Sequence, residues 1–239
     1  MIEVVNVTKR FGGLVAVNKM NIVVEKSEIL GLIGPNGAGK TTLFNCIAGY
    51  FKVDDGLIKL DKKNITNLSS EEICKNGIAR TFQAAKPFGD LTVRENIMVG
   101  AFNHTRKTKH AIEEAESCME ITGISHLAND TSKDLTLCDK KKMEICRALA
   151  TKPKYILFDE VMAGLNPTEV QEIIILLRKL NSSGIGLVII EHIMSAIMSI
   201  SHRIIVMQDG ALLAEGDPSY IASHPSVIEA YLGKGKEYA

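Results

Sequence analysis

Residues 34–42 read GPNGAGKTT, and the apolar run EILGLIG (28–34) leads straight into them. The spacing G-x-x-x-x-G-K-[ST], set between a strand and a helix, is the pattern of a loop whose backbone N–H groups curl around phosphate. Glycines permit the curl, and the helix start adds partial positive charge to it. Gly34, Pro35, Asn36, Gly37, Ala38, Gly39 and Thr42 are therefore assigned to the phosphates. Lys40 brings a point charge to the β- and γ-phosphates, and the Thr41 hydroxyl suits Mg²⁺. A helix is predicted from Lys40 to about Gly49. An ordinary glycine-rich turn is set aside by the strand before the motif and the helix after it.

Upstream, IEVVNV (2–7) and NIVVEK (21–26) are short β-rich runs, and GLIKLDKKNIT (56–66) is another strand and turn, a partly antiparallel beginning. Downstream, YILFDE (155–160) and GLVII (186–190) are apolar strands of the kind buried on both faces of a parallel sheet. Between them Asn166 suits an N-cap, Pro167 the first helical position, Glu169 a capping box and Gly184 the helix end. Such alternation implies a doubly wound α/β core. From residue 87 to 150 strand signals fade, and HAIEEAESCMEITG (110–123) shows helical spacing through Ile112, Ala115, Met119 and Thr122. The expected organisation is one domain over 1–239, with a core lobe (1–86 and 151–239) and a helical lobe (87–150).

In YILFDE, Asp159 ends an apolar strand and suits Mg²⁺ through its water shell, while Glu160 can polarise an attacking water. Solvated charges at a strand end would be the reading of an isolated pair. His192 follows GLVII; a lone histidine is more often structural, but at a sheet edge it can donate to a γ-phosphate. Gln83, at the departure into the helical region, suits Mg²⁺ or its water, and spacing alone leaves that role open.

Lys plus Arg and Asp plus Glu balance at 28 each and Trp is absent, which argues against nucleic-acid binding by bulk charge or stacking. The five cysteines follow no metal spacing and are expected as free thiols in a reducing cytosol. MIEVVNVTKRF has no basic leader before an apolar segment, so no signal peptide is expected. IIILL (173–177) is far short of the ~20 residues that span a bilayer.

The order Phe11, phosphate loop, Gln83, helical segment, YILFDE, AGLNP (163–167), His192 resembles the ATP-binding subunits of ABC transporters over nearly the whole chain. FGGLVAV, GIARTFQ, LTVRENIMVG, GLNPTEV, IEH and AEGDPSYIASHPSVIEAYLG are similar to the branched-chain amino acid uptake subfamily, whose urea and related relatives share much of the pattern. The resemblance implies an α/β P-loop NTPase (RecA-like) core with a parallel sheet, an antiparallel β subdomain and a helical insertion. It implies ATP and Mg²⁺ as cofactors, Phe11 stacking on adenine, Gln83 as the Q-loop, a dimer-contacting loop at AGLNP and His192 as the switch histidine. It further implies an ATPase powering import, a second ATP-binding subunit (identical or not) across the ATP, transmembrane permease subunits, and a peripheral place on the cytoplasmic face of the membrane. The alternatives are a subunit for urea or another small solute, or a nucleotide-gated interaction protein with weak hydrolysis.

Where the family reads L-S-G-G-Q or L-S-Y-G-Q, residues 135–139 read LTLCD. Thr136 keeps a hydroxyl for the partner's nucleotide, Cys138 adds bulk where glycine allows close approach, and Asp139 brings charge that repels phosphate. Val161 stands where the family commonly has proline. The signature is thus expected to serve the partner's ATP poorly. Lys140, Lys141 and Lys142 are expected as a solvated basic helix face.

Overall fold

The computed structural model describes residues 1–81 and 87–232. The chain begins with β1 (Ile2–Phe11), β2 (Leu14–Val24) and β3 (Ile29–Ile33), then α1 (Lys40–Ile47). β4 (Asp55–Leu60), β5 (Lys63–Asn64), α2 (Ser70–Asn76) and β6 (Ile78–Arg80) come after it. Three helices come next, α3 (Val93–Ala101), α4 (Thr108–Thr122) and α5 (Leu137–Leu149). Strand and helix then alternate through β7 (Tyr155–Asp159), α6 (Pro167–Ser182), β8 (Gly186–Ile190), α7 (Met194–Ile200), β9 (Arg203–Gln208) and β10 (Ala211–Gly216). The described chain closes with α8 (Pro218–Ser223) and α9 (Pro225–Leu232).

Two sheets result. β2-β1-β4-β5 is antiparallel throughout; β10-β9-β3-β8-β7-β6 is parallel except for its β9–β10 hairpin. Side chains of the parallel strands alternate between two cores because a strand has period two. Leu30 and Leu32 of β3, Leu157 of β7 and Val188 and Ile190 of β8 join α1 and the antiparallel sheet in one core. Ile29 and Ile33, Ile156 and Phe158, Leu187 and Ile189 face the other way, onto α6 and α7. Both faces being covered is why these strands read as unbroken apolar runs. Each such buried aliphatic contributes about 1.5–3 kcal/mol.

α3, α4 and α5 enclose a third core around Val93, Ile97, Ala115, Met119, Met143 and Cys146. On α4 the buried stripe runs through Ala111, Ala115, Cys118, Met119 and Thr122, so Ala111 rather than Ile112 takes the inward position. Gly100 lets α3 meet the end of α5, since a Cβ there would lie 2.2 Å from the Arg147 carbonyl. Leu149 of α5 packs against both this core and the one under α6.

Local signals set the boundaries. Asn166 caps α6 with its side chain accepting from Thr168 and Glu169, Glu169 reaches back, and Pro167 takes the first turn. α6 ends at Ser182, two residues before Gly184 in the left-handed region. α1 stops at Ile47, slightly earlier than the sequence suggests, because Gly49 also turns left-handed. All five cysteines are free thiols.

Candidate functional site

Parallel pairing aligns three strand ends. Leu32 pairs with Ile190, and Ile190 with Asp159, so the chain leaves β3, β7 and β8 along one edge. The three segments just past those ends therefore converge: the loop 34–39, the pair Asp159–Glu160, and Glu191–His192. The loop is held from outside. Gly210 N–H donates to Ala38 O at 3.1 Å, and Asn18 N–H donates to Gly210 O at 2.8 Å. Gly39 has φ 95°, and a Cβ there would lie 2.1 Å from the Ala16 carbonyl, so only glycine fits.

Gly39 is also the N-cap of α1, and among the described residues no side chain caps that helix. Its N–H groups and dipole are what an anion needs. Lys40 is buried, with Nζ donating to Gly34 O at 2.7 Å and Pro35 O at 3.0 Å. Burial lowers its pKa, opposed by the charges of Glu160 and Asp159. Thr41 is exposed beside it. A cavity of about 470 Å³ is lined by Phe11, residues 36–42, Glu160 and His192. Phe11 is half exposed at its rim, with its ring 5.2 Å from that of Phe51 in an edge-on contact.

Asp159 is fully buried; Oδ2 accepts from Arg80 at 2.9 Å, while Oδ1 is buried and has no partner among the described residues. Burial raises its pKa, countered by Arg80. Glu160 has φ 53°, unusual for a residue with a side chain and the kind of backbone found at reacting sites. Its N–H donates to Ile190 O at 2.9 Å, and its Oε1 lies 3.0 Å from His192 Nε2. Gln83 lies outside the described residues.

Thr136 and Cys138 lie at the start of α5 and do not line this cavity. Thr136 is the N-cap: Oγ1 accepts from Asp139 N–H at 3.1 Å and donates to Asp139 Oδ2 at 2.6 Å. Cys138 is buried and burial raises its thiol pKa, so the bulk on the outer face comes from Leu137 instead. Leu137 is exposed and leans toward Gly164.

The three lysines are not a solvated face. Lys141 is 3% exposed and donates to the Glu160 carbonyl at 3.0 Å. Lys142 pairs with Glu172 of α6 at 2.7 Å, and Lys140 donates to Lys133 O at 2.8 Å. The signal was present in the sequence: Cys138, Ile145 and Ala148 mark the inward stripe of α5, and Lys141 falls on it. Nothing local in GIARTFQ marks its arginine, Arg80, as part of the site; besides Asp159 it reaches Asn45. Glu191, the glutamate of IEH, is buried and accepts from Met162 N–H at 2.7 Å.

Residues 17–163 match the family model described as ABC transporter, and residues 211–237 that of the branched-chain amino acid ATP-binding cassette transporter. The chain is 38% identical to the high-affinity branched-chain amino acid transport ATP-binding protein BraF of Pseudomonas aeruginosa, over 98% of both chains. It is similar to the ADP conformation of MJ1267, an ATP-binding cassette of an ABC transporter (TM-score 0.89, 33% identity, 98% of this chain and 99% of that one). It is also similar to the dimeric structure of MJ0796, a bacterial ABC transporter cassette (TM-score 0.82, 27% identity, 91% of this chain and 99% of that one).

Proposed function

The chain belongs to the ABC transporter ATP-binding proteins, in their branched-chain amino acid subfamily, and is an ATPase coupled to transport; from that premise we propose that it powers uptake of branched-chain amino acids by hydrolysing ATP at the end of β3. The observation that carries the site assignment is the 3.0 Å contact of Glu160 with His192 at the mouth of the phosphate loop. Loop N–H groups and Lys40 bind the β- and γ-phosphates, and Phe11 stacks on adenine. Glu160 takes the proton of the attacking water, and the single N–H of a neutral His192 orients Glu160 as found and turns to the γ-phosphate once nucleotide is bound. The preorganised donors meet charge as it develops on the leaving and transferred oxygens.

The residues suit Mg²⁺. The buried Oδ1 of Asp159, without a partner among the described residues, and the exposed Thr41 hydroxyl are hard oxygen donors, as is the side-chain oxygen of Gln83 by residue type. The ion, when bound, neutralises charge on the phosphate oxygens.

A second ATP-binding subunit closes over the nucleotide, and α5 of this chain faces that partner's ATP. Thr136 already uses its hydroxyl on Asp139, and Leu137 stands on the outer face, so this signature serves the partner's site weakly. Permease helices dock in a groove of about 580 Å³ between α2 and α5, whose walls include Tyr50, Cys74, Val99, Phe102 and Arg147. Among the described residues no helix is long and apolar enough to cross a membrane. Bound to the permease in this way, the chain is peripheral to the membrane, on its cytoplasmic face.

The test is steady-state ATPase of the assembled transporter. Glu160→Gln is expected to lower turnover by about 10²–10⁴-fold while nucleotide is still retained. Undiminished turnover in that variant, or equally tight nucleotide retention by Lys40→Ala, overturns the assignment.

A further inference from the structure

Two buried charged side chains, Lys141 and Glu191, lie outside the lining of the cavity. Lys141, in the first half of α5, is 3% exposed; Glu191, just after β8, is 2% exposed. A buried ammonium is costly to desolvate, and burial does lower its pKa, while the carboxylates of Glu191, Glu144 and Glu160 each favour its charged form. Glu191 is committed on both sides. Oε1 accepts from Met162 N–H at 2.7 Å and Oε2 from His192 N–H at 3.3 Å. One carboxylate thus spans the turn after Glu160 and the residue that meets the Glu160 side chain.

The Glu160 backbone is pinned from two directions. Its N–H donates to Ile190 O at 2.9 Å, and its carbonyl accepts from Lys141 Nζ at 3.0 Å. Both bonds brace a residue held at φ 53°, a conformation a glutamate keeps only when its surroundings hold it. Of the groups acting on this turn, Lys141 comes from the helical lobe; Ile190 and Glu191 come from the parallel sheet and the loop that leaves it.

We propose that Lys141 is a positioning residue for ATP hydrolysis: its ammonium, balanced by Glu191, fixes the Glu160 carbonyl and with it the carboxylate that faces His192. The role is distinct from binding nucleotide, because Lys141 does not line the cavity. It is distinct from charge balance too, because the donated hydrogen bond goes to a backbone carbonyl. The inference rests on the base role given to Glu160.

The experiment compares Lys141→Met, Glu191→Gln, the double variant and Glu160→Gln in the full chain within the assembled transporter. It measures kcat, KM for ATP, nucleotide retention and Tm. Lys141→Met is expected to lower kcat about 10- to 100-fold, the usual loss when a supporting partner is removed, with KM and retention little changed. The double variant, with no buried unpaired charge, is expected to regain the Tm lost in Lys141→Met yet remain slow. Recovery of turnover along with Tm overturns the proposal and leaves Lys141 as charge balance alone. Should Lys141→Met fail to fold, the double variant carries the same comparison. The two readings separate cleanly: full turnover in Glu160→Gln removes the base assignment, whereas a collapse there with normal kcat in both Lys141 variants removes only this inference.

Discussion

α1 and α5 begin in opposite ways. α1 starts from a left-handed glycine with no side-chain cap, comes after a loop of small residues, and carries a buried lysine in its first turn. α5 starts from a threonine that caps its own third residue, with an aspartate in the first turn and an exposed leucine between. Both ends have the same dipole and the same unsatisfied N–H groups in principle. A helix start recruits an external anion only where the chain leaves those donors unspent. In α1 no side chain among the described residues takes them; in α5 Thr136 and Asp139 consume part of the capacity and add a negative charge.

The largest expected effect tests the open end. Gly39→Ala places a Cβ 2.1 Å from the Ala16 carbonyl at a backbone angle that disfavours side chains. Nucleotide retention by the full chain should fall more than about 100-fold, since overpacking and left-handed strain together cost several kcal/mol. Retention at the original level would show that the uncapped start is not the anion site. A middle-sized effect tests the closed end. Leu137→Gly with Asp139→Gln should raise ATPase of the assembly about tenfold, by restoring close approach and removing repulsion at the partner's phosphate. Unchanged turnover would mean that the signature does not limit the partner's site. The smallest concerns capping alone. Thr136→Ala should cost about 1 kcal/mol of stability, read by chemical denaturation, and leave this chain's own nucleotide retention as it was. A loss of retention would couple two helix ends that the structure keeps apart.

The sequence carried the phosphate loop and the α6 capping box in full because both are local: a few neighbouring residues set the backbone. Apolar runs at 155–159 and 186–190 gave the buried parallel strands for the same reason. Burial within the helical region was harder. Lys140, Lys141 and Lys142 look alike in a string, yet successive helical residues point about 100° apart, so one goes inward, one crosses to Glu172 and one turns back to Lys133. Arg80 and Glu191 were unreadable as partners of Asp159 and Met162, since those pairings span 79 and 29 residues. Its position in a signature alone points Cys138 at the partner's nucleotide, whereas the helical stripe turns it inward and Leu137 outward.

α5 has 13 residues, so it is stiff over about 20 Å. Near one end it holds the Glu160 carbonyl; near the other, Arg147 and Ala148 form part of the wall of the 580 Å³ groove. A rod with those two attachments works as a pushrod. On the proposed docking, force from a helix seated in the groove would reach the Glu160 backbone through α5 without passing through the nucleotide.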